Sequence, residues 1–213
     1  PDFGQACIVL FGWAVMYFVA GAPMALLLLL AGLAVATGAI AYSNSEHFAR
    51  RIDGFLYPDA DPTSQLSYAT TAIREGGILG VGVGEGTVKW SLPDAHTDFI
   101  IAVAAEEFGL VMVLFIVGLY MSVVLRSLLR LMRERDPFIR LAGTGLACIF
   151  GVQAFINMGV AVRLLPAKGM TLPFVSYGGS SLIAGGITVG MLLAFTRTRA
   201  QGEIGDLLRA RVR

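Results

Sequence analysis

Apolar residues gather in five long stretches, at about 4–20, 22–42, 99–125, 141–162 and 180–196, separated by polar, turn-rich connections. A helical membrane span needs roughly 20 residues, so the first and last are at the short limit. Within lipid a single helix satisfies its own backbone hydrogen bonds, and each stretch is therefore read as a helix. The alternating ten-residue segments of a membrane β-barrel are absent. Ala20-Gly21-Ala22-Pro23 predicts a tight turn joining the first two spans into a hairpin over 4–42, with Pro23 in the first turn of the second helix.

The 43–98 connection is too long for a simple turn, and its aromatics (Phe48, Phe55, Tyr57, Tyr68, Trp90) argue against disorder. Arg50 to Leu56 reads as an interfacial turn, Tyr57 to Pro62 as a rigid break, and Ser64 to Glu75 as a short helix ending at Gly76-Gly77. The glycine-rich run Gly76 to Gly86 has two readings, a backbone approaching a ligand phosphate or a packed loop needing positive φ. The second is favoured, because no Gly-Lys-Ser/Thr follows and no strand precedes. The remaining parts are a three-helix section over 99–196 and a tail over 197–213.

Composition supports the span count. Hydrophobic residues make up 56% of the chain and charged residues 15%, too little polar surface for a water-soluble domain of 213 residues. The expected class is an all-α integral membrane protein of five transmembrane helices with a long structured extracytoplasmic loop. Of 16 Lys and Arg, five fall in 126–140 (Arg126, Arg130, Arg133, Arg135, Arg140) and five in the tail (Arg197, Arg199, Arg209, Arg211, Arg213). The positive-inside rule makes both cytoplasmic and puts the 43–98 and 163–179 connections outside. No basic patch interleaved with aromatics points to nucleic acid. Cys7 and Cys148 lie within apolar spans and are read as small buried hydrophobes. The opening Pro1-Asp2-Phe3-Gly4-Gln5 carries no targeting logic, which suggests a piece of a larger membrane protein.

Candidate chemistry concentrates at Leu92-Pro93-Asp94-Ala95-His96-Thr97-Asp98-Phe99-Ile100. A carboxylate where water gives way to lipid is costly and marks a functional site. Asp98 has the alternative of capping the third helix, unless Thr97 does so. At 100° per residue Glu106 lies about 80° round from Asp98 and about 12 Å deeper, while Glu107 points nearly opposite; both suit helix packing. Gln153 and Asn157, four apart, are read as an interhelical hydrogen-bonding pair rather than substrate contacts. The proline- and glycine-rich loop Leu165 to Ser181 resists helix formation and is expected to fold back toward the membrane mouth.

Three blocks carry a resemblance to a known family. Pro1-Asp2-Phe3-Gly4-Gln5, the run from Lys89 to Gly109 with Leu-Pro-x-x-His-Thr-Asp-Phe-Ile and Glu-Glu-x-Gly, and Lys168-Gly-Met-Thr-Leu-Pro-Phe-Val-Ser-Tyr-Gly-Gly-Ser-Ser together resemble the SEDS proteins of bacterial wall synthesis, the FtsW and RodA group. Lys168-Gly169-Met170-Thr171 looks more like the cell-division branch, FtsW. The chain departs from the pattern at Leu66-Ser67-Tyr68-Ala69 and at Ile101. It matches only spans six to ten of a ten-span fold.

The resemblance implies a peptidoglycan glycosyltransferase in the bacterial cytoplasmic membrane, at the division septum, that polymerises lipid II. Its implied partners are a class B penicillin-binding transpeptidase and other divisome membrane proteins. Asp98 matches the family's essential aspartate and is expected to be the general base, or to position the acceptor hydroxyl. Lys168, Lys89 and Arg74 are candidate diphosphate contacts, with plain surface cations as the alternative. His96, Thr97, Ser176, Gly178, Gly179 and Ser180 are further candidate substrate contacts, His96 being more simply a turn residue. Asp2, Glu106 and Glu107 are expected to support the site. A divalent cation, Mg or Mn, bridging Asp98 and the diphosphate is compatible with the pattern. A lipid II flippase and a non-catalytic scaffold are the competing readings. The 213-residue piece alone is expected to be inactive.

Overall fold

The computed structural model describes residues 3–56, 65–166 and 169–197. Every regular element among them is helical: α1 (Phe3–Val19), α2 (Met24–Asn44), α3 (Glu46–Leu56), α4 (Gln65–Gly76), a 3₁₀ turn (Val88–Trp90), α5 (Ile100–Leu131), α6 (Pro137–Ala161) and α7 (Gly179–Thr196). Four of these, α2, α5, α6 and α7, are long and apolar enough to cross a bilayer. The apolar α1, at 17 residues, sits at the lower length limit of the five expected spans. Arg50 to Leu56 belongs to helix α3 rather than to a turn. The Tyr57 to Pro62 break, Asp2, Lys168 and all of the tail beyond Arg197 lie outside the described residues.

α6 is the hub, with α1, α5 and α7 packed around it. Small residues make the approach close. An added Cβ at Gly12 would come within 2.6 Å of Ile149, at Gly145 within 2.7 Å of Met16, and at Gly143 within 2.5 Å of Leu131. α1 therefore lies on α6, whereas α2 has α3 as its main neighbour and no buried residue. The expected α1–α2 hairpin turns at Gly21 (φ 75°), with Pro23 before α2 rather than inside its first turn. Cys7 is exposed on α1, and Cys148 is half-buried; the buried reading of Cys7 fails because that side of α1 faces away from α6.

α5 and α6 are joined by only five residues, 132–136, because α5 runs on to Leu131 and carries Arg126 and Arg130 on its last turns. Asp136 then caps α6, accepting from the Phe138 and Ile139 amides at 2.9 and 3.4 Å, with Pro137 in the first helical position.

At 32 residues α5 is about 48 Å long, well beyond a hydrocarbon core of about 30 Å. It is broken at Gly109 (φ 76°, ψ −174°). An unbroken helix would have the Leu110 and Val111 amides donate to the Glu106 and Glu107 carbonyls. Here they donate to the carbonyls of Gly77 and Ile78, at 3.0 and 3.3 Å. The freed Glu106 and Glu107 carbonyls accept from the amides of Val81 and Gly82, at 2.9 and 3.1 Å. The glycine-rich loop thus slots into the break and supplies partners to four backbone groups beside it. Its glycines allow backbone to touch backbone. A Cβ at Gly76 would meet the Ala105 carbonyl at 1.9 Å, and one at Gly80 would meet the Glu107 carbonyl at 2.1 Å. The packed-loop reading of Gly76 to Gly86 is the one the structure adopts.

Gly109→Ala would force a methyl-bearing residue into a glycine-only region and against the Ile78 carbonyl, 2.3 Å from its Cβ. In the full-length protein it is expected to cost about 2 kcal/mol or more, read as a lowered unfolding midpoint. Gly118→Ala, in the same helix with open space around it, should be neutral or stabilising by about 0.5–1 kcal/mol.

Candidate functional site

The polar turn before α5 is built on one carbonyl. Asp94 adopts a left-handed conformation (φ 56°), which short polar side chains tolerate. Its carbonyl accepts from the amides of Thr97, Asp98 and Phe99 at 3.1, 3.0 and 3.3 Å, and from the Thr97 hydroxyl at 3.2 Å. Below the turn, Leu92, Ala95, Phe99 and Ala102 pack with Ala69 and Ala72 of α4 and Val160 of α6. The turn is thereby set on a core that joins three helices.

The next three carbonyls are tied to the other loop. His96 O accepts from the Tyr177 amide at 2.8 Å. Thr97 O accepts from the Ser176 hydroxyl, which itself accepts from the Leu172 amide at 2.8 Å. Asp98 O accepts from Asn157 Nδ2 at 2.9 Å, and that same amide nitrogen donates to Met170 O. Both of its partners are carbonyls, so the Asn157 amide has one permissible orientation, and Asn157 is fully buried. Gln153 adds a bond to Thr171 O at 3.2 Å, and Tyr120 of α5 donates its hydroxyl to Pro173 O. The 169–177 loop and the 94–98 turn are one unit. Asn157 and Gln153 do more than link helices, since both hold this loop.

Asp98 stands at the seam. It is half-buried, and no side chain caps α5, whose first residues start from Phe99. Neither Asp98 nor Thr97 is the α5 cap, Thr97 having turned back onto Asp94. Among the described residues no hydrogen bond or ion pair holds the Asp98 carboxylate. Gly169, with φ 64°, lies beside it, its Cβ position 3.6 Å from Oδ2. Partial burial, and then the charge of Asp94, raise the Asp98 carboxyl above the ordinary carboxylate value.

The remaining candidates separate clearly. Glu106 is 0% exposed and accepts from the Val88 and Lys89 amides at 2.8 and 3.0 Å, gripping the 3₁₀ turn. Gly86 leaves it room, since a Cβ there would fall 2.8 Å from the Glu106 carboxyl carbon. Glu107 binds the Lys89 ammonium and accepts from the Gly84 amide at 3.3 Å. Lys89 is therefore committed to Glu107, with Trp90 on its other side at 5.4 Å, rather than free for a diphosphate. Ser176 is likewise corrected: its hydroxyl is buried and spent on the clamp, not offered to substrate. His96 and Arg74 are exposed, as are Gly179 and Ser180 at the start of α7. Gly178 precedes that helix, which has no side-chain cap, so its first amides and positive dipole end are open to an anion beside the clamp. Among the described residues no three His, Cys, Asp or Glu gather as a metal site. Asp98 and nearby Asp94 fit only the sparse carboxylate set that Mg uses with substrate phosphates.

Sequence reasoning passed over the Asn157–Asp98 tie and Arg163. Arg163 takes a left-handed conformation (φ 59°) after α6 and donates Nε to Leu66 O at 3.3 Å, fastening α4. A basic residue just past the end of an apolar span was the available signal.

Because folding raises the Asp98 pKa, the ionised form is disfavoured in the folded state. Stability is highest below the unfolded value near 3.8 and declines as pH rises through the raised one. Asp98→Asn is accordingly expected to raise the melting temperature at neutral pH and to leave it nearly unchanged below the unfolded pKa. Asn157→Asp, which replaces the only donor facing two carbonyls by an acceptor, should lower it by the equivalent of about 2–3 kcal/mol. Thermal unfolding of the full-length protein across pH measures both.

Comparison with known proteins agrees with this architecture. The family model for the FtsW, RodA and SpoVE group, described as "Cell cycle protein", matches residues 1–201. A protein of Caulobacter vibrioides named "Probable peptidoglycan glycosyltransferase FtsW" is 44% identical over 210 residues, covering 96% of this chain and 54% of that protein. Its namesake from Geobacter metallireducens is 45% identical over 163 residues, 75% of this chain and 43% of the relative. A solved structure described as "Structural coordination of polymerization and crosslinking by a peptidoglycan synthase complex" superposes with a TM-score of 0.70 at 33% identity, over 94% of this chain and 57% of that one. The chain spans about half the length of the relatives it matches. By its sequence, its helical order and its likeness to that structure, the chain belongs to the FtsW/RodA/SpoVE family of cell cycle proteins.

Proposed function

We propose that the whole protein of which this chain forms a part is a peptidoglycan glycosyltransferase that polymerises lipid II at the outer face of the bacterial cytoplasmic membrane, during division. The observation that carries the reading is Asp98: a half-buried carboxylate with no structural partner among the described residues, on a turn whose backbone is fixed from three sides. In the reaction the 4-hydroxyl of one sugar attacks C1 of another. A C–O bond forms, the bond from C1 to the polyprenyl diphosphate breaks, and the hydroxyl proton goes to a base. Asp98 is that base, and burial and Asp94 raise its pKa, which makes it a stronger proton acceptor than an ordinary carboxylate.

The leaving diphosphate calls for positive charge. The open amides of Gly179 and Ser180 at the α7 N-terminus supply part of it beside the clamp. Lys168 and the exposed Arg74 are cations of suitable type. A divalent cation would be held by Asp98 with Asp94 and would neutralise diphosphate charge. The arginines of the 126–140 segment and the tail support a cytoplasmic position for both. The solved relative's title, which couples polymerization with crosslinking, supports a crosslinking transpeptidase as partner, which we take to be a class B enzyme acting at the septum.

A break such as that in α5 is also a feature of transporters, whose discontinuous helices meet at the midplane around a substrate. In this chain the break is filled by its own loop, which favours an enzyme built on a rigid frame.

Purified full-length protein with labelled lipid II tests the proposal. Asp98→Asn should abolish glycan chains, a loss of at least about 100-fold, while folding and lipid II binding persist. Translocation without polymerisation by the wild type would support a flippase instead, and transpeptidase binding with neither activity a scaffold. The acid limb of the wild-type pH–rate profile should fall above the ordinary aspartate pKa, and Asp94→Asn should move it to lower pH.

A further inference from the structure

The loop that fills the α5 break has an unusual surface. Gly77 to Gly84 is eight residues without a charged or polar side chain. Its four aliphatic side chains point outward: Ile78 is 69% exposed, Leu79 81%, Val81 43% and Val83 73%. Trp90, at 82%, stands on the following 3₁₀ turn. Bulky apolar groups clustered on one water-facing loop are unfavourable unless something covers them.

We propose that this loop is a membrane anchor, immersed in the lipid leaflet on the Asp98 side, with Trp90 in its interfacial belt. Two independent features point to lipid. The first is continuity. The Gly77 and Ile78 carbonyls are held by the amides of Leu110 and Val111, and both of those residues expose their side chains at the start of the apolar face of α5. From Gly109 to Leu131 that helix is about 34 Å long, close to the thickness of a hydrocarbon core. The loop therefore sits at the depth where the lipid-facing surface begins. The second feature is backbone pairing at the base of the loop. Non-helical backbone at membrane depth is tolerated only where its polar groups are bonded within the protein. Here the Val81 and Gly82 amides bond to α5, the Gly80 amide to Gly76 O at 2.8 Å, and the Gly77 and Ile78 carbonyls accept from α5. These bonds lower the cost of bringing the base of the loop to membrane depth. Lys89, on the following 3₁₀ turn, is paired with Glu107. The anchor would fix the height of the Asp98 turn relative to the leaflet from which a lipid-linked substrate arrives.

The test is spin-label accessibility in the full-length protein in nanodiscs, with its other cysteines replaced. Labels at Leu79→Cys and Val83→Cys are compared with Thr71→Cys, an exposed position on the polar helix α4. Oxygen concentrates in lipid and a nickel chelate in water. The expected result is an oxygen-to-nickel accessibility ratio several-fold higher at positions 79 and 83 than at 71. A ratio equal to that at Thr71→Cys would overturn the proposal, including the case in which the sites become shielded only when a transpeptidase is added, which would make the loop a protein-docking surface. Shielding from both reagents without any partner would also overturn it, by placing the loop against the rest of the chain. Wild-type melting temperature in each labelled variant establishes that the ratios report the folded protein.

Discussion

Inside a bilayer every peptide group must find a partner within the protein, and α5 meets that demand in an uncommon way. At its break at Gly109, two amides and two carbonyls of the helix bond to the 77–82 backbone. Four hydrogen bonds between helix and loop result. They fix the segment 100–108 against α4 and the glycine-rich loop, and Glu106 and Glu107 extend the same grip to the 3₁₀ turn and Lys89. The position of Asp98, two residues before α5, follows from it.

A second set of bonds turns that position into a site. Three successive carbonyls, of His96, Thr97 and Asp98, are each held from the 157–177 region, leaving the Asp98 side chain as the part of the turn without a structural task among the described residues. A general base is most effective when the protein around it is already arranged, because no reorganisation is then needed during reaction. The strain of partial burial and of Asp94 nearby is consistent with that role: the folded chain tolerates a carboxylate that its stability would favour losing.

Much of this was legible in the residues. Long apolar stretches gave the helices of the bundle, and α7 begins within a residue of its expected start. Polar turn chemistry and a carboxylate before an apolar run singled out Asp98. What stayed hidden were contacts made by backbone. Glycines between 76 and 86 indicate positive φ or close approach, but no sequence pattern says that the surface approached is a broken helix. Gly109 within an apolar run reads as an ordinary packing glycine. Ser176 and Lys89 have the chemistry of ligands for a diphosphate, and only their neighbours show them occupied by Thr97 O and Glu107. α5 ends at Leu131, six residues beyond the expected 125, because Arg126 and Arg130 have the look of loop charges yet extend from the last turns of the helix.

The central claim is that the residue 98 carboxyl meets a sugar hydroxyl while its own backbone stays clamped. A structure of full-length Asp98→Asn protein bound to lipid-linked disaccharide in a membrane mimetic tests it most directly. The residue 98 side chain is expected within about 3 Å of the acceptor hydroxyl, or one water away, with the three carbonyl ties intact. A substrate bound elsewhere in the bundle, with residue 98 facing only protein, would contradict it.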